Sequence, residues 1–242
     1  MNSAHTIGLV VPFAKDEVPF EGPIMYPGVR FIPRGVGVRA LTPEGYEPAW
    51  NGILPAAEYL ARQGVDSIMV IGTSLTFFRG PEAHEWLLKE LRRRTGLPVS
   101  TMSQAIIDGL REVGAKRVAV ATAYSDVVNR RLKELLAAAD IDVRSLESFD
   151  LLEFGGPSKK SEADIIALSD SAIEHADRPE GILISCGGLR TLGVTKPLEA
   201  RHGIPVVSSA TAAFWAAMRL VGESGYVAGY GKLFEQAREP VH

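Results

Sequence analysis

The chain has 242 residues, 46% of them apolar and 23% charged, with a net charge of −3. That is the composition of one large globular domain or two small ones, and the charge balance gives no basis for nucleic-acid or membrane-surface partners. A single cysteine excludes an internal disulfide and any CxxC redox or zinc site. With no signal sequence and no apolar run of spanning length, the expectation is a soluble cytoplasmic protein.

Short β-rich apolar runs alternate with helical patterns, which predicts α/β architecture with parallel sheets. The first strand is expected at Thr6–Val11 and the first long helix over 50–63. A strand at Ser67–Ile71 and a helix over 81–94 follow. The basic run Lys89-Glu90-Leu91-Arg92-Arg93-Arg94 closes that helix, where cations suit the dipole. Next come a strand at Val99–Thr101, a helix over 103–113, a strand at Arg117–Thr122 and a helix over 126–139 with Asp126 as its cap. The remaining strands are Asp142–Leu146, Gly181–Ser185 and Val206–Ser208, with helices over 160–176, capped by Ser161, and over 211–221.

The chain repeats itself at a spacing of about 110 residues. Thr6-Ile7-Gly8-Leu9-Val10-Val11 resembles Arg117-Val118-Ala119-Val120-Ala121-Thr122, and Ser67-Ile68-Met69-Val70-Ile71-Gly72 resembles Gly181-Ile182-Leu183-Ile184-Ser185-Cys186. Gly96-Leu97-Pro98-Val99 likewise resembles Gly203-Ile204-Pro205-Val206. Similar text in the same order predicts two half-domains of one fold, residues 1–113 with 211–242 and residues 114–210. Ligands of open parallel sheets bind outside the carboxyl ends of the strands. Two facing halves would therefore make one cleft, walled by Val11-Pro12-Phe13, Gly72-Thr73-Ser74, Ala123-Tyr124-Ser125 and Cys186-Gly187-Gly188. The lone thiol falls at its mouth, and the repeat sets Gly72 opposite it.

Cys186 can move a proton there, although a buried free cysteine is more often a small apolar filler. Thr73, Ser74 and successive backbone N–H groups can form an anion nest, and the Tyr124 phenol can join them. Helix capping and a rim aromatic are the plainer roles for these residues. Together they make a set of neutral donors that can hold a carboxylate and the enediolate derived from it. Racemisation, isomerisation and decarboxylation all suit such a site. The five histidines show no ligand spacing, so neither a metal site nor a histidine-activated thiol is expected.

Several stretches carry a resemblance. They are Thr42-Pro43-Glu44-Gly45-Tyr46, Gly72-Thr73-Ser74-Leu75, Val120-Ala121-Thr122-Ala123-Tyr124, Ser185-Cys186-Gly187-Gly188-Leu189, Pro205-Val206-Val207-Ser208-Ser209 and Gly229-Tyr230-Gly231-Lys232-Leu233-Phe234. They resemble the aspartate/glutamate racemase superfamily, and within it the arylmalonate decarboxylases. The resemblance implies two pseudo-symmetric α/β halves around a cleft, and a carboxy-lyase acting on α-aryl or α-alkenyl malonic acids without cofactor or metal. Racemases of the superfamily use two cysteines; here Gly72 stands at the first position, so a single acid would protonate one face. The resemblance further implies that Thr73, Ser74, Tyr124 and the N–H groups of Ser74, Cys186 and Gly187 hold the retained carboxylate. It places Pro12, Val38, Leu41 and Tyr46 around the substrate. A monomer and a small dicarboxylate partner fit the family. The alternative is a racemase or isomerase of a dicarboxylate or amino acid, such as a maleate isomerase. The segment 148–162 departs from the family pattern, and Leu151, Leu152 and Phe154 within it are expected to cover the aryl group.

Overall fold

The structure, a computed structural model, describes residues 5–236. Among them, β1 (Thr6–Val11), β2 (Arg30–Gly35), β3 (Ser67–Val70) and β4 (Val99–Thr101) form a sheet in the order β2-β1-β3-β4. A second sheet holds β5 (Arg117–Thr122), β6 (Asp142–Ser148), β7 (Gly181–Ser185) and β8 (Val206–Ser208) in the order β6-β5-β7-β8. Every strand pairing is parallel. The two orders are the same once β5 to β8 are set on β1 to β4, as the repeated text predicts. The chain is thus an α/β protein of two matching parallel sheets. Each sheet reverses its winding beside its first strand, so the loops after β1 and β3 meet, as do those after β5 and β7.

The helices are α1 (Glu21–Met25), α2 (Pro43–Arg62), α3 (Thr73–Phe77), α4 (Pro81–Thr95), α5 (Met102–Glu112), α6 (Asp126–Ala138), α7 (Glu162–Glu174), α8 (Thr195–His202), α9 (Ser209–Leu220) and α10 (Lys232–Gln236). α2 begins well before the expected 50–63. Thr42 caps it by accepting from Gly45 N at 3.2 Å, and Pro43 opens it. Pro48 and Pro55 lie inside it and give up two backbone bonds. Burial of Tyr46, Trp50, Ile53, Ala57 and Leu60 along one face offsets that loss. Ser161 caps α7 in a reciprocal box with Asp164. The cap of α6 is Ser125 rather than Asp126; Asp126 is the first helical residue, and its side chain makes no capping bond. Its charge there suits the helix dipole instead.

α9, Ser-Ala-Thr-Ala-Ala-Phe-Trp-Ala-Ala-Met-Arg-Leu, is buried on all sides from Ser209 to Met218. Its small residues let it pack against α5 and against β3, β4, β7 and β8, where the two sheets meet. β2 was not expected. Its residues are half-exposed, and Pro33 lacks an N–H, which only an edge strand tolerates. The short helices α1, α3, α8 and α10 were also unexpected. No helix among the described residues is long and apolar enough to cross a membrane.

Candidate active site

The loops at the carboxyl ends of the two sheets enclose a cavity of about 120 Å³. After β1, Pro12 and Phe13 are pinned by Val38 N donating to Pro12 O at 2.8 Å and Gly37 N to Phe13 O at 2.9 Å. This brings Val38 and Leu41 onto the same wall. Ile71, Gly72, Thr73, Ser74 and Leu75 follow β3, and Cys186, Gly187 and Gly188 follow β7. Tyr46 reaches the wall from α2. From 148–162 come Phe154, Gly155, Pro157 and Ser158. The Phe13 and Phe154 rings meet edge to face at 6.4 Å. An antiparallel bridge between Ala40 and Glu153, with Leu41 N donating to Leu152 O at 2.8 Å, ties the 148–162 segment across to the first half. The space is close to the roughly 150 Å³ that encloses a benzene ring in an apolar cavity.

Gly72 is the turn from β3 into α3, and its φ of 117° is a conformation that side-chain-bearing residues rarely adopt. It places Thr73 and Ser74 at the first turn of α3, where backbone N–H groups lack intrahelical partners. Below them, Thr73 O accepts from Ser103 Oγ at 2.9 Å and from Thr76 Oγ1 at 3.1 Å, which fixes α3 on α5. Thr73 Oγ1 and the Tyr46 hydroxyl are buried and complete no hydrogen bond among the described residues. Tyr46 lies beside Ser74, and burial raises its phenol well above the ordinary range. Two unpaired buried donors on one wall mark a place built for a polar ligand, because each costs stability while unsatisfied.

Burial pushes the Cys186 thiol up to about 11; the backbone N–H groups of Gly188 and Leu189 and the Tyr124 hydroxyl oppose it. The sulfur is therefore a protonated thiol at neutral pH, with donors in place for the thiolate it becomes on giving that proton up. Tyr124 stands behind the wall rather than on it. It is fully buried, its ring lies 5.8 Å from that of Phe77 on α3, and its hydroxyl is 3.3 Å from Ser185 Oγ. Burial first, and then the proximity of Cys186, raise its phenol well above the usual value. No histidine, carboxylate, lysine or arginine lines the cavity. His84 is buried elsewhere against Thr101, at 2.7 Å. Among the described residues no three histidine, cysteine or acidic side chains come together as a metal site.

Of the residues singled out in the sequence, Pro12, Val38, Leu41, Tyr46, Gly72, Thr73, Ser74, Phe154, Cys186 and Gly187 share this cavity. Leu151 and Leu152, expected over the substrate, do not. Leu152 is 54% exposed, and Leu151 packs beneath Gly156 while its N–H donates to Ala123 O at 2.9 Å. The backbone bridge to Ala40 turns Phe154, not the leucines, inward. Lys159, in the same segment, sits 3.2 Å from both oxygens of Glu153. Pro19, Ile71, Leu75, Gly155, Pro157 and Ser158 are wall residues not anticipated; of these Gly155 and Pro157, in the turn Gly155-Gly156-Pro157, carry a local turn signal.

The comparisons with known proteins agree with this geometry. The family model for arylmalonate decarboxylase matches residues 7–234. Arylmalonate decarboxylase of Bordetella bronchiseptica is 41% identical over 236 residues, covering 97% of this chain and 98% of that protein. A crystal structure of a double mutant of arylmalonate decarboxylase in its liganded form superposes with a TM-score of 0.94 at 40% identity, covering 96% and 100% of the two chains. A maleate isomerase of Geobacillus stearothermophilus is 29% identical over 163 residues, or 64% of this chain and 63% of the isomerase. With a family model matched over residues 7–234 and a relative 41% identical over nearly the whole of both chains, this protein belongs to the arylmalonate decarboxylase family, as a carboxy-lyase.

Proposed function

We propose that this enzyme removes CO₂ from α-aryl or α-alkenyl malonic acids without a cofactor and protonates the resulting enediolate on one face from Cys186. The observation that carries this reading is the asymmetry of the cavity: one protonated thiol after β7 and no side chain at all at Gly72 after β3. One carboxylate is held by the hydroxyls of Thr73 and Ser74 and by the N–H groups of Ser74, Cys186 and Gly187, with the Tyr124 phenol, behind the wall, reaching it by a small shift of the groups between them. The other rests against Pro12, Val38 and Leu41, where loss of water disfavours its charge. The bond from the α-carbon to that carboxylate breaks, CO₂ leaves, and the bonding pair spreads into the retained carboxylate as an enediolate. Preorganised neutral donors stabilise the growing charge. The S–H proton passes to the α-carbon, the thiolate is met by the N–H groups of Gly188 and Leu189, and a proton from water restores the thiol.

In this reading, the half-domain of residues 1–113 with 211–242 supplies the hydroxyls of Thr73 and Ser74 to the anion pocket, and the half-domain of residues 114–210 supplies the acid and the N–H groups of Cys186 and Gly187. Phe154 and Phe13 cover the aryl group. The enzyme acts as a cytoplasmic monomer on a small dicarboxylate. The isomerase reading draws on the maleate isomerase relatives but leaves position 72 without a second acid or nucleophile, and a racemase would likewise lack the second acid that proton passage between faces needs.

The test is to incubate the protein with phenylmalonate and with 2-methyl-2-phenylmalonate, without metal or cofactor, and to follow CO₂ release and the chirality of the acid. Release with one enantiomer in excess is expected. Release of racemic acid from the methylated substrate would remove the single-acid mechanism. No release, together with conversion of maleate to fumarate, would move the assignment to an isomerase.

A further inference from the structure

Tyr124 stands behind the cavity wall with its hydroxyl beside Thr73 and Cys186, and the hydrogen bonds around it decide which way its proton points. Its backbone is held from behind: Asn129 Nδ2 donates to Tyr124 O at 3.0 Å, Ser148 Oγ donates to the same oxygen, and Thr122 Oγ1 holds Asn129 Oδ1 at 2.7 Å. The ring is clamped edge-on by Phe77. The hydroxyl oxygen then has three neighbours: Ser185 Oγ at 3.3 Å, the Cys186 sulfur and the Thr73 hydroxyl. Ser185 ends β7, is fully buried, and has the Tyr124 hydroxyl as its one side-chain hydrogen-bond partner among the described residues.

Were Tyr124 to donate to Ser185, the serine's own proton would be buried without an acceptor, and the phenol would present no donor to the site. Were Ser185 to donate to Tyr124, the serine's proton would be satisfied, and the phenol's O–H would be left to the side of Cys186 and Thr73, where a bound anion or the thiolate can accept it. An orphaned buried donor is the costly alternative, and a donor fed by a second hydroxyl is the more polarised one. We propose that Ser185 is a positioning residue: its hydroxyl donates to the Tyr124 phenol oxygen and so turns the phenol's proton toward the Cys186 sulfur and the anion pocket. This rests on the decarboxylase reading for its kinetic arm only.

The test is a double-mutant cycle of Ser185→Ala and Tyr124→Phe with two readouts. The first is kcat on phenylmalonate. The second is the pH midpoint for alkylation of Cys186 by iodoacetamide, a clean signal because the chain has one cysteine. Removing Ser185 Oγ is expected to lower kcat about tenfold, less than the loss of a whole oxyanion donor. The alkylation midpoint is expected to rise by about half a pH unit, because the thiolate loses part of its donor. Both effects should vanish when Tyr124 is already phenylalanine. A purely structural serine would give the same losses in both backgrounds, which would overturn the proposal. An unmoved alkylation midpoint would overturn it as well. Ser185→Thr keeps the hydroxyl on a strand that accepts branched residues, and is expected to stay within about threefold of the parent in kcat. It serves as the second variant if alanine at 185 impairs folding, and a loss matching Tyr124→Phe would again count against the proposal. If the parent protein releases no CO₂, the decarboxylase reading fails by itself, and the alkylation arm alone decides the role of Ser185.

Discussion

The loops after β3 and β7 occupy the same place in two matching sheets, yet they differ in chemistry, and the proposed mechanism gives them opposite tasks. After β3 the chain turns at Gly72 directly into α3, and Thr73 and Ser74 fall on its first turn. After β7 it places Cys186 on the wall and turns through Gly187 and Gly188, where Gly188 packs on Pro157. In that mechanism the first loop supplies hydroxyls and N–H groups, and it carries no side chain where its counterpart has sulfur. The second supplies a proton and the N–H groups that steady the resulting thiolate. A repeated fold brings two corresponding loops to one cavity, Gly72-Thr73-Ser74 in one and Cys186-Gly187-Gly188 in the other, and the proposed mechanism reads that divergence as a separation of holding an anion from protonating it.

The strongest way to break this division is to remove the acid. Cys186→Ala should lower turnover of phenylmalonate by about 10³-fold or more, in the range of a positioned general acid. It should leave the affinity for phenylacetate, measured by calorimetry, within about threefold of the parent, because the substitution removes only the sulfur and keeps every hydroxyl and N–H group assigned to the anion. Comparable losses in both measurements would mean that the two tasks are not separated. The converse variant is Thr73→Val, which exchanges the unpaired buried hydroxyl for a methyl of the same shape. Turnover should fall about 10²-fold, the usual cost of an oxyanion donor. Stability should hold or rise by about 1 kcal/mol, because a buried donor without a partner is gone. A variant that is both destabilised and fully active would show that Thr73 is a packing residue.

Much of this comparison was legible in the sequence, for identifiable reasons. β1, β3, β5 and β7 are buried parallel strands and read as apolar runs, so their similar text exposed the repeat and set Gly72 against Cys186. β2 was hidden because its half-exposed residues and Pro33 suit an edge, where burial is slight. The start of α2 was hidden because Pro48 reads as a stop, whereas the burial of Tyr46 and Trp50 sustains the helix. The roof of the cavity escaped for a different reason. Phe154 faces in while Leu151 and Leu152 do not because Leu152 O accepts from Leu41 N and Glu153 bridges Ala40. Such a contact between residues over a hundred positions apart has no local pattern. Ser185 escaped because a serine at a strand end carries no mark until its partner, Tyr124, is seen.

Gly72→Cys restores the symmetry that the family pattern breaks. A Cβ there would lie 3.2 Å from Leu75 Cβ, on a backbone with φ of 117°. The variant is therefore expected to lose about 1–3 kcal/mol of stability, read from its urea midpoint. If it folds, it should racemise 2-phenylpropionate, with decarboxylation reduced several-fold, since protons can then enter from both faces. Retained optical purity in the folded variant would count against the two loops facing each other across the α-carbon.

The smallest expected effect tests the state of the thiol itself. Burial moves Cys186 from about 9 in the open chain to about 11 in the fold. The folded protein thus holds this proton more tightly than the unfolded chain does. The stability it contributes is complete below pH 9 and is lost as pH rises through 11. Between pH 8 and pH 10 the parent should lose about 1 kcal/mol more than Cys186→Ala, which has no thiol to titrate. Urea unfolding of both proteins at the two pH values measures this difference. A parallel decline would mean that the thiol is not held in its protonated form, and proton delivery to the enediolate would then need a donor other than Cys186, such as the Tyr124 phenol beside it. A divergence of the expected sign would leave the loop after β7 holding a neutral acid, opposite a glycine that can neither give nor take a proton.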